Sequence, residues 1–288
     1  MANGILIIDK PAGWTSMDVC AKLRGKFHEK RVGHGGTLDP MATGVLPVFL
    51  GRATRAVEFA AEGDKEYVAG LRLGLVTNTQ DITGETLEER AAGVTVEELR
   101  AVLPRFTGPI QQIPPMYSAI KKDGKKLYEL ARKGVEVERK PRPVTIHSLA
   151  VEGEGGPGEY ILRVNCSKGT YVRTLCHDIG QALGCGGCMS SLRRTMAAGY
   201  TLADSVSLEA VLDNETPEAL LRPADTCFAR YAPVTIKGRA VFQARNGTPF
   251  ATVAEDGVYR VYTEDGEFLL LGQARGGVMT TIKSFFEV

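Results

Sequence analysis

Apolar residues along the chain follow one of two periods, and each change of period marks a new element. GILIID, residues 4–9, is a short unbroken apolar run that reads as a buried strand. KPAGWTS then supplies turn chemistry: Pro11 fixes φ and Gly13 permits a tight bend. The period lengthens in MDVCAKLRGKFH, where Val19, Leu23 and Phe27 recur four apart on one helical face, with Ser16 placed to cap the helix. VLPVFLG returns to a strand pattern, and Pro47 within it argues for an edge or a bulge. Strict alternation in KEYVAGLRLG puts Tyr67, Ala69, Leu71 and Leu73 on one face of a strand. Thr95 and Glu98 form a capping box that opens a helix in VEELRAVL. PPMYSAIKKDGKKLYELARKG reads as a proline-led loop, a basic turn and a short helix ending at Gly134. Two strand-like runs, PVTIHSLAVE and EYILRVNCS, precede TYVRTLCHDIGQALG. In that last segment Leu175, Ile179 and Leu183 keep helical spacing, Thr170 can cap and Gly184 can stop.

Helices and strands without regular βαβ alternation point to an α+β fold rather than a doubly wound one. Near Ala232 helical periodicity gives way to short strands with turn signals such as EDGE. This places a larger domain over residues 1–231 and a small β-rich domain over 232–288.

Composition narrows the function classes without choosing one. The 288 residues are 43% hydrophobic and 24% charged, the profile of an ordinary globular protein. No apolar run approaches the roughly 18–20 residues of a membrane span, and the N-terminus lacks the basic flank of a signal peptide. A cytoplasmic protein with free thiols is therefore expected. CGGC, Cys185 to Cys188, has metal-ligand spacing, but no second CxxC and no HxxxH completes four ligands, so no metal is expected. Net charge is only +1, yet residues 119–143 hold nine basic against four acidic residues. Lys121, Lys122, Lys125, Lys126 and Arg132 lie there, interleaved with Tyr117 and Tyr128. The segment fits either a solvated helix face or an RNA grip.

VGHGGTLDPMATGVL, residues 32–46, lacks the Gly-Lys of a phosphate loop, and Leu38 replaces the third glycine of a dinucleotide fingerprint. Pro40 pushes Asp39 toward extended geometry, so Asp39 is either a turn cap or an exposed working carboxylate. His34, among glycines that allow close approach, fits a base, a ligand, a stacking surface or a locally bonded turn residue. Tyr67 is a core aromatic or a stacking platform. Arg173 is a surface ion pair or the orienting partner of a carboxylate.

Taken together, DKPAGWTS, VGHGGTLDPMATGVL, KEYVAGLRLGLVTNTQD, CSKGTYVRTLCHDIGQALG and SLRR occur in the order found in the TruB family of tRNA pseudouridine synthases, which the chain resembles over roughly residues 4–225. The resemblance implies a mixed, largely antiparallel central sheet with flanking helices, related to the RRM arrangement, and a C-terminal PUA-like RNA-binding domain. It implies isomerisation of the T-loop uridine at tRNA position 55 to pseudouridine, with base flipping and no cofactor. By position Asp39 matches the nucleophile and Arg173 the arginine paired with it. Tyr67 matches the tyrosine stacked on the target base, and His34 a histidine holding flipped-out nucleotides. Tyr171 and Leu192 match pocket-lining residues, Lys10 a support of the catalytic loop, and residues 107–143 an RNA-gripping insertion. The partner is the T-arm of tRNA, bound by a monomer with no obligatory protein partner and no membrane. A tRNA-folding chaperone role stands beside the chemistry or, as the alternative from the binding class, without it. A guide-RNA-dependent synthase resembling dyskerin fits less well, because long basic tails are missing. Two positions depart from the family pattern: Cys188 stands where a histidine is frequent, and Met196 where a basic residue is.

Overall fold

The computed structural model describes residues 2–122 and 124–286. Along the chain run β1 (Gly4–Lys10), α1 (Ser16–Phe27), β2 (Val32–His34), β3 (Thr43–Leu50), α2 (Val57–Glu62), β4 (Lys65–Leu73), β5 (Leu75–Thr77) and β6 (Thr86–Glu89). They are followed by α3 (Val96–Val102), β7 (Gly108–Gln112), β8 (Lys121–Lys122), β9 (Lys125–Lys126), α4 (Leu127–Ala131), β10 (Arg142–Gly156), β11 (Glu159–Cys166), α5 (Val172–Ala182) and β12 (Gly187–Ala197). The C-terminal part holds β13 (Tyr200–Thr201), β14 (Val206–Ser207), α6 (Leu208–Asp213), β15 (Ala232–Ile236), α7 (Arg239–Arg245), β16 (Phe250–Ala251), β17 (Gly257–Thr263), β18 (Phe268–Arg275) and β19 (Val278–Ser284). This is a mixed α+β fold. Its residues fall into two compact units: Met1–Asp39, Leu46–Ala61 and Ala198–Val288 form the first, Pro40–Val45 and Glu62–Ala197 the second.

In the first unit β14 pairs parallel with β1, β1 neighbours β3, and β2 pairs antiparallel with β3. Val19, Cys20, Leu23 and Phe27 of α1 pack with Leu6, Ile8, Leu46 and Val48 in one core, as the helical spacing requires. The cap of α1 differs from the expectation. Thr15 is the N-cap, its hydroxyl accepting from the Asp18 amide while the Asp18 carboxylate accepts from the Thr15 amide. Ser16, one residue later, turns its hydroxyl to the main chain of Leu38 instead. The C-terminal strands form a separate five-stranded sheet, ordered β15–β17–β18–β19–β16, over a core of Phe250, Val261, Leu269, Leu270, Ala274 and Met279. The short helix α7 joins this core through Ala244.

In the second unit the strand order is β3–β12–β4–β11–β10–β7. The β3–β12 pair is parallel and the rest antiparallel. Tyr67, Ala69, Leu71 and Leu73 are all buried, as their alternation predicts. Helix α5 meets the start of β12 backbone to backbone: a Cβ added at Gly180 would lie 2.2 Å from the Gly187 nitrogen. Thr170 does not cap α5; its hydroxyl donates to the Ser167 carbonyl, and Tyr171 takes the N-cap position. Pro47 does not mark an edge strand: β3 pairs with β12 at Thr43–Gly44 and with β2 at Val48–Leu50, and also neighbours β1.

Candidate active site and RNA interface

Lys10, His34 and Asp39 are carried by the first unit; Tyr67, Tyr171, Arg173, Leu192 and the basic segment belong to the second. Within the first, the loop after β2 is fixed by its main chain. The Gly35 amide donates to the Pro47 carbonyl at 2.9 Å, and the Gly36 amide donates to Nδ1 of His34 at 3.4 Å. Gly35 owes its place to packing rather than to clearance for a ligand. A Cβ there would stand 2.9 Å from Cβ of Ala60 and 3.1 Å from the Phe49 ring. His34 and Asp39 are half-buried at the end of this loop, and Leu38 between them is buried. Lys10 is fully buried, with Nζ donating to the Pro11 carbonyl at 2.8 Å, so it stiffens the turn that leads into α1.

In the second unit, Tyr67 on β4 lies opposite Arg194 of β12, and Ala69 lies opposite Leu192. Tyr67 and Leu192 are therefore diagonal neighbours on one sheet face. Arg194 is almost wholly buried, with Nε donating to the Val45 carbonyl at 2.7 Å, and Lys65 is buried near it. Burial first, then the Arg194 charge, pushes Lys65 below the usual lysine range.

Arg173, in the first turn of α5, is tightly held. Its guanidinium pairs with the Asp81 carboxylate at 3.4 Å and donates to the carbonyls of Thr79 (3.3 Å) and Tyr117 (2.7 Å). Asp81 is buried as well and accepts from the Thr79 hydroxyl and from the Thr83 amide and hydroxyl. Such multiple acceptance holds the carboxylate in one orientation. Sequence reasoning missed Asp81, because ninety-two residues separate it from Arg173; the only local sign was an Asp among threonines in TNTQDIT. It also missed Gln112. This buried side chain accepts from the Tyr171 amide at 3.0 Å and donates to the Tyr171 carbonyl at 3.3 Å. It thus supplies the helix-end bonding that no side chain of α5 provides.

The basic segment is a two-stranded hairpin followed by α4. Lys121 faces Lys126 and Lys122 faces Lys125, so like charges stand directly opposite. That arrangement is destabilising by itself and is relieved by a polyanion. Tyr128 is flanked by Lys126 and Arg132, 5.3 and 5.4 Å from the ring centroid, and Lys126 also donates to its hydroxyl. The ring orders cations instead of offering an open stacking face. Asp123, inside the hairpin turn, lies outside the described residues. CGGC is not an isolated turn pair: Cys188 opens into β12 and is fully buried, and burial pushes its thiol up to about 11.

A family model described as TruB family pseudouridylate synthase (N terminal domain) matches residues 24–172, and one described as tRNA pseudouridylate synthase B C-terminal domain matches residues 173–229. The tRNA pseudouridine synthase B of Clostridium kluyveri is 41% identical over 98% of this chain and 99% of its own length. That of Alkaliphilus oremlandii is 48% identical over 85% and 82%. Among solved structures, one of a Cbf5-Nop10-Gar1 complex aligns with a TM-score of 0.76 at 28% identity, covering 99% of this chain and 85% of the other. One of an H/ACA RNP bound to a substrate RNA containing 2'-deoxyuridine gives a TM-score of 0.75 at 26% identity, covering 99% and 86%. Two family models that together span residues 24–229, and relatives more than 40% identical over most of their length, establish that the chain belongs to the TruB family, the tRNA pseudouridine synthases that isomerise uridine in tRNA to pseudouridine.

Proposed function

We propose that the substrate is the T-arm of tRNA, that the target is the uridine at position 55, and that Asp39 is the nucleophile. The observation that supports this most is the contrast in charge. The acid sits on a half-buried loop of the first unit, while the second unit holds buried Lys65, Arg173 and Arg194 and an exposed lysine hairpin. A target base within a folded T-arm is stacked, so it must be flipped out, at a cost of a few kcal/mol. Tyr67 and His34 replace the lost stacking. Lys121, Lys122, Lys125, Lys126 and Arg132 hold backbone phosphates.

Asp39 attacks the nucleotide, the N1–C1′ bond breaks, the uracil turns, a C5–C1′ bond forms, and the bond to Asp39 is broken so that its carboxylate is released. The C5 proton leaves and N1 gains one, so mass is unchanged and no cofactor is called for. Arg173, held by Asp81, Thr79 and Tyr117, is the fixed cation of the site. Tyr171 and Leu192 line the pocket, and Lys10 supports the loop. The proposal extends to a monomer working in the cytoplasm, with residues 1–231 as the catalytic domain and 232–288 as a PUA-like domain that adds RNA contact. A T-arm stem-loop incubated with the purified chain and EDTA tests it. Carbodiimide labelling with primer extension should give one new stop, at position 55. No stop on a correctly folded substrate, or a stop at another uridine, overturns the assignment.

A further inference from the structure

Ser16 is not needed as a helix cap, since Thr15 and Asp18 complete the capping box of α1. Its side chain is nevertheless almost wholly buried, and its single hydroxyl makes two bonds to one residue twenty-two positions away. Oγ accepts from the Leu38 amide at 2.9 Å and donates to the Leu38 carbonyl at 3.2 Å. Leu38 immediately precedes Asp39. Its carbonyl belongs to the planar peptide that carries the Asp39 nitrogen, so holding that oxygen fixes the plane from which Asp39 projects. On the other side Pro40 restricts the Asp39 backbone sterically. The helix bearing Ser16 is itself anchored in the core by Val19, Cys20, Leu23 and Phe27. The aspartate backbone is therefore bracketed between a hydroxyl on a rigid helix and a proline ring.

We infer that Ser16 is a positioning residue for the reaction, setting the aim of the Asp39 carboxylate through Leu38 without touching substrate. This rests on the assignment of Asp39 as nucleophile. A nucleophile displaced by about 1 Å loses roughly a hundredfold in rate, whereas RNA contacts made elsewhere are untouched. The role thus has a signature that a merely structural serine lacks: loss in the chemical step at constant RNA affinity.

The full-length chain carrying Ser16→Ala, Thr15→Ala or Asp39→Asn is compared with wild type on a T-arm stem-loop. Single-turnover rates at saturating enzyme, Kd by filter binding and Tm are measured. Ser16→Ala is expected to slow the single turnover by about ten- to a hundredfold, with Kd within about twofold of wild type. Thr15→Ala removes the cap beside it and is expected to lower Tm while leaving the rate within about twofold. A Ser16→Ala rate equal to wild type overturns the inference, as does an equal slowing by Thr15→Ala. Should Ser16→Ala not fold, hydrogen exchange in the wild-type protein decides: the Leu38 amide is expected to be protected like the core of α1, and rapid exchange overturns the inference. Asp39→Asn separates the two levels. If it is inert while Ser16→Ala is fully active, only the positioning role fails; if Asp39→Asn turns over normally, the nucleophile assignment fails and the positioning role with it.

Discussion

Arg173 and Lys125 are both cations of the second unit, yet their surroundings are opposite. Arg173 is buried, faces a carboxylate and two carbonyls, and has its orientation dictated by Asp81, Thr79 and Tyr117. Lys125 is exposed and faces another lysine across a two-residue strand. The first arrangement spends bonds on holding one geometry, which chemistry requires. The second keeps a cation exposed beside another, an arrangement suited to phosphates, which need no exact geometry. Under the proposed function, catalysis and grip call for cations prepared in these two different ways.

Breaking the pair at Arg173 should have the largest effect on the fold. Asp81→Ala breaks a buried arginine–carboxylate pair and is expected to cost about 3–5 kcal/mol of stability, read by urea denaturation; an unchanged midpoint contradicts the buried-pair description. Changing Lys121, Lys122, Lys125 and Lys126 together to Ala should act on binding alone. The slope of log K against log salt is expected to fall by roughly 3, with the rate at saturating RNA unchanged. A preserved slope removes the hairpin from the phosphate interface. The smallest effect has the opposite sign from the first. Lys125→Ala relieves one like-charge pair and should raise stability by about 0.2–1 kcal/mol; a clear loss of stability would mean that the hairpin charges are paired within the protein.

The sequence was most legible where one local rule decided an element. Alternation placed β4 and buried Tyr67, and the Thr95–Glu98 box opened α3 as expected. The slip from Ser16 to Thr15 at α1 arose because two neighbouring hydroxyls suit a cap, although Asp18 stands three residues after Thr15, the spacing of the box. Strands of two or three residues, such as β2 and β14, have no periodicity to read. The family was legible through its motifs, whereas the contacts around the expected site residues were not. Asp81 and Gln112 act on Arg173 and Tyr171 from distant segments, and only tertiary structure brings such pairs together. Gly35 shows the converse: a glycine that suggested room for a ligand is packed against Phe49 and Ala60.

The most direct measurement is the single-turnover rate of Asp39→Asn on a T-arm stem-loop, with RNA affinity measured in parallel. Asparagine keeps the size of the side chain and removes the carboxylate proposed as nucleophile. Pseudouridine formation is expected to fall by about a thousandfold or more, with Kd within about twofold of wild type. Turnover by Asp39→Asn near the wild-type rate would contradict the central claim that Asp39 carries the reaction.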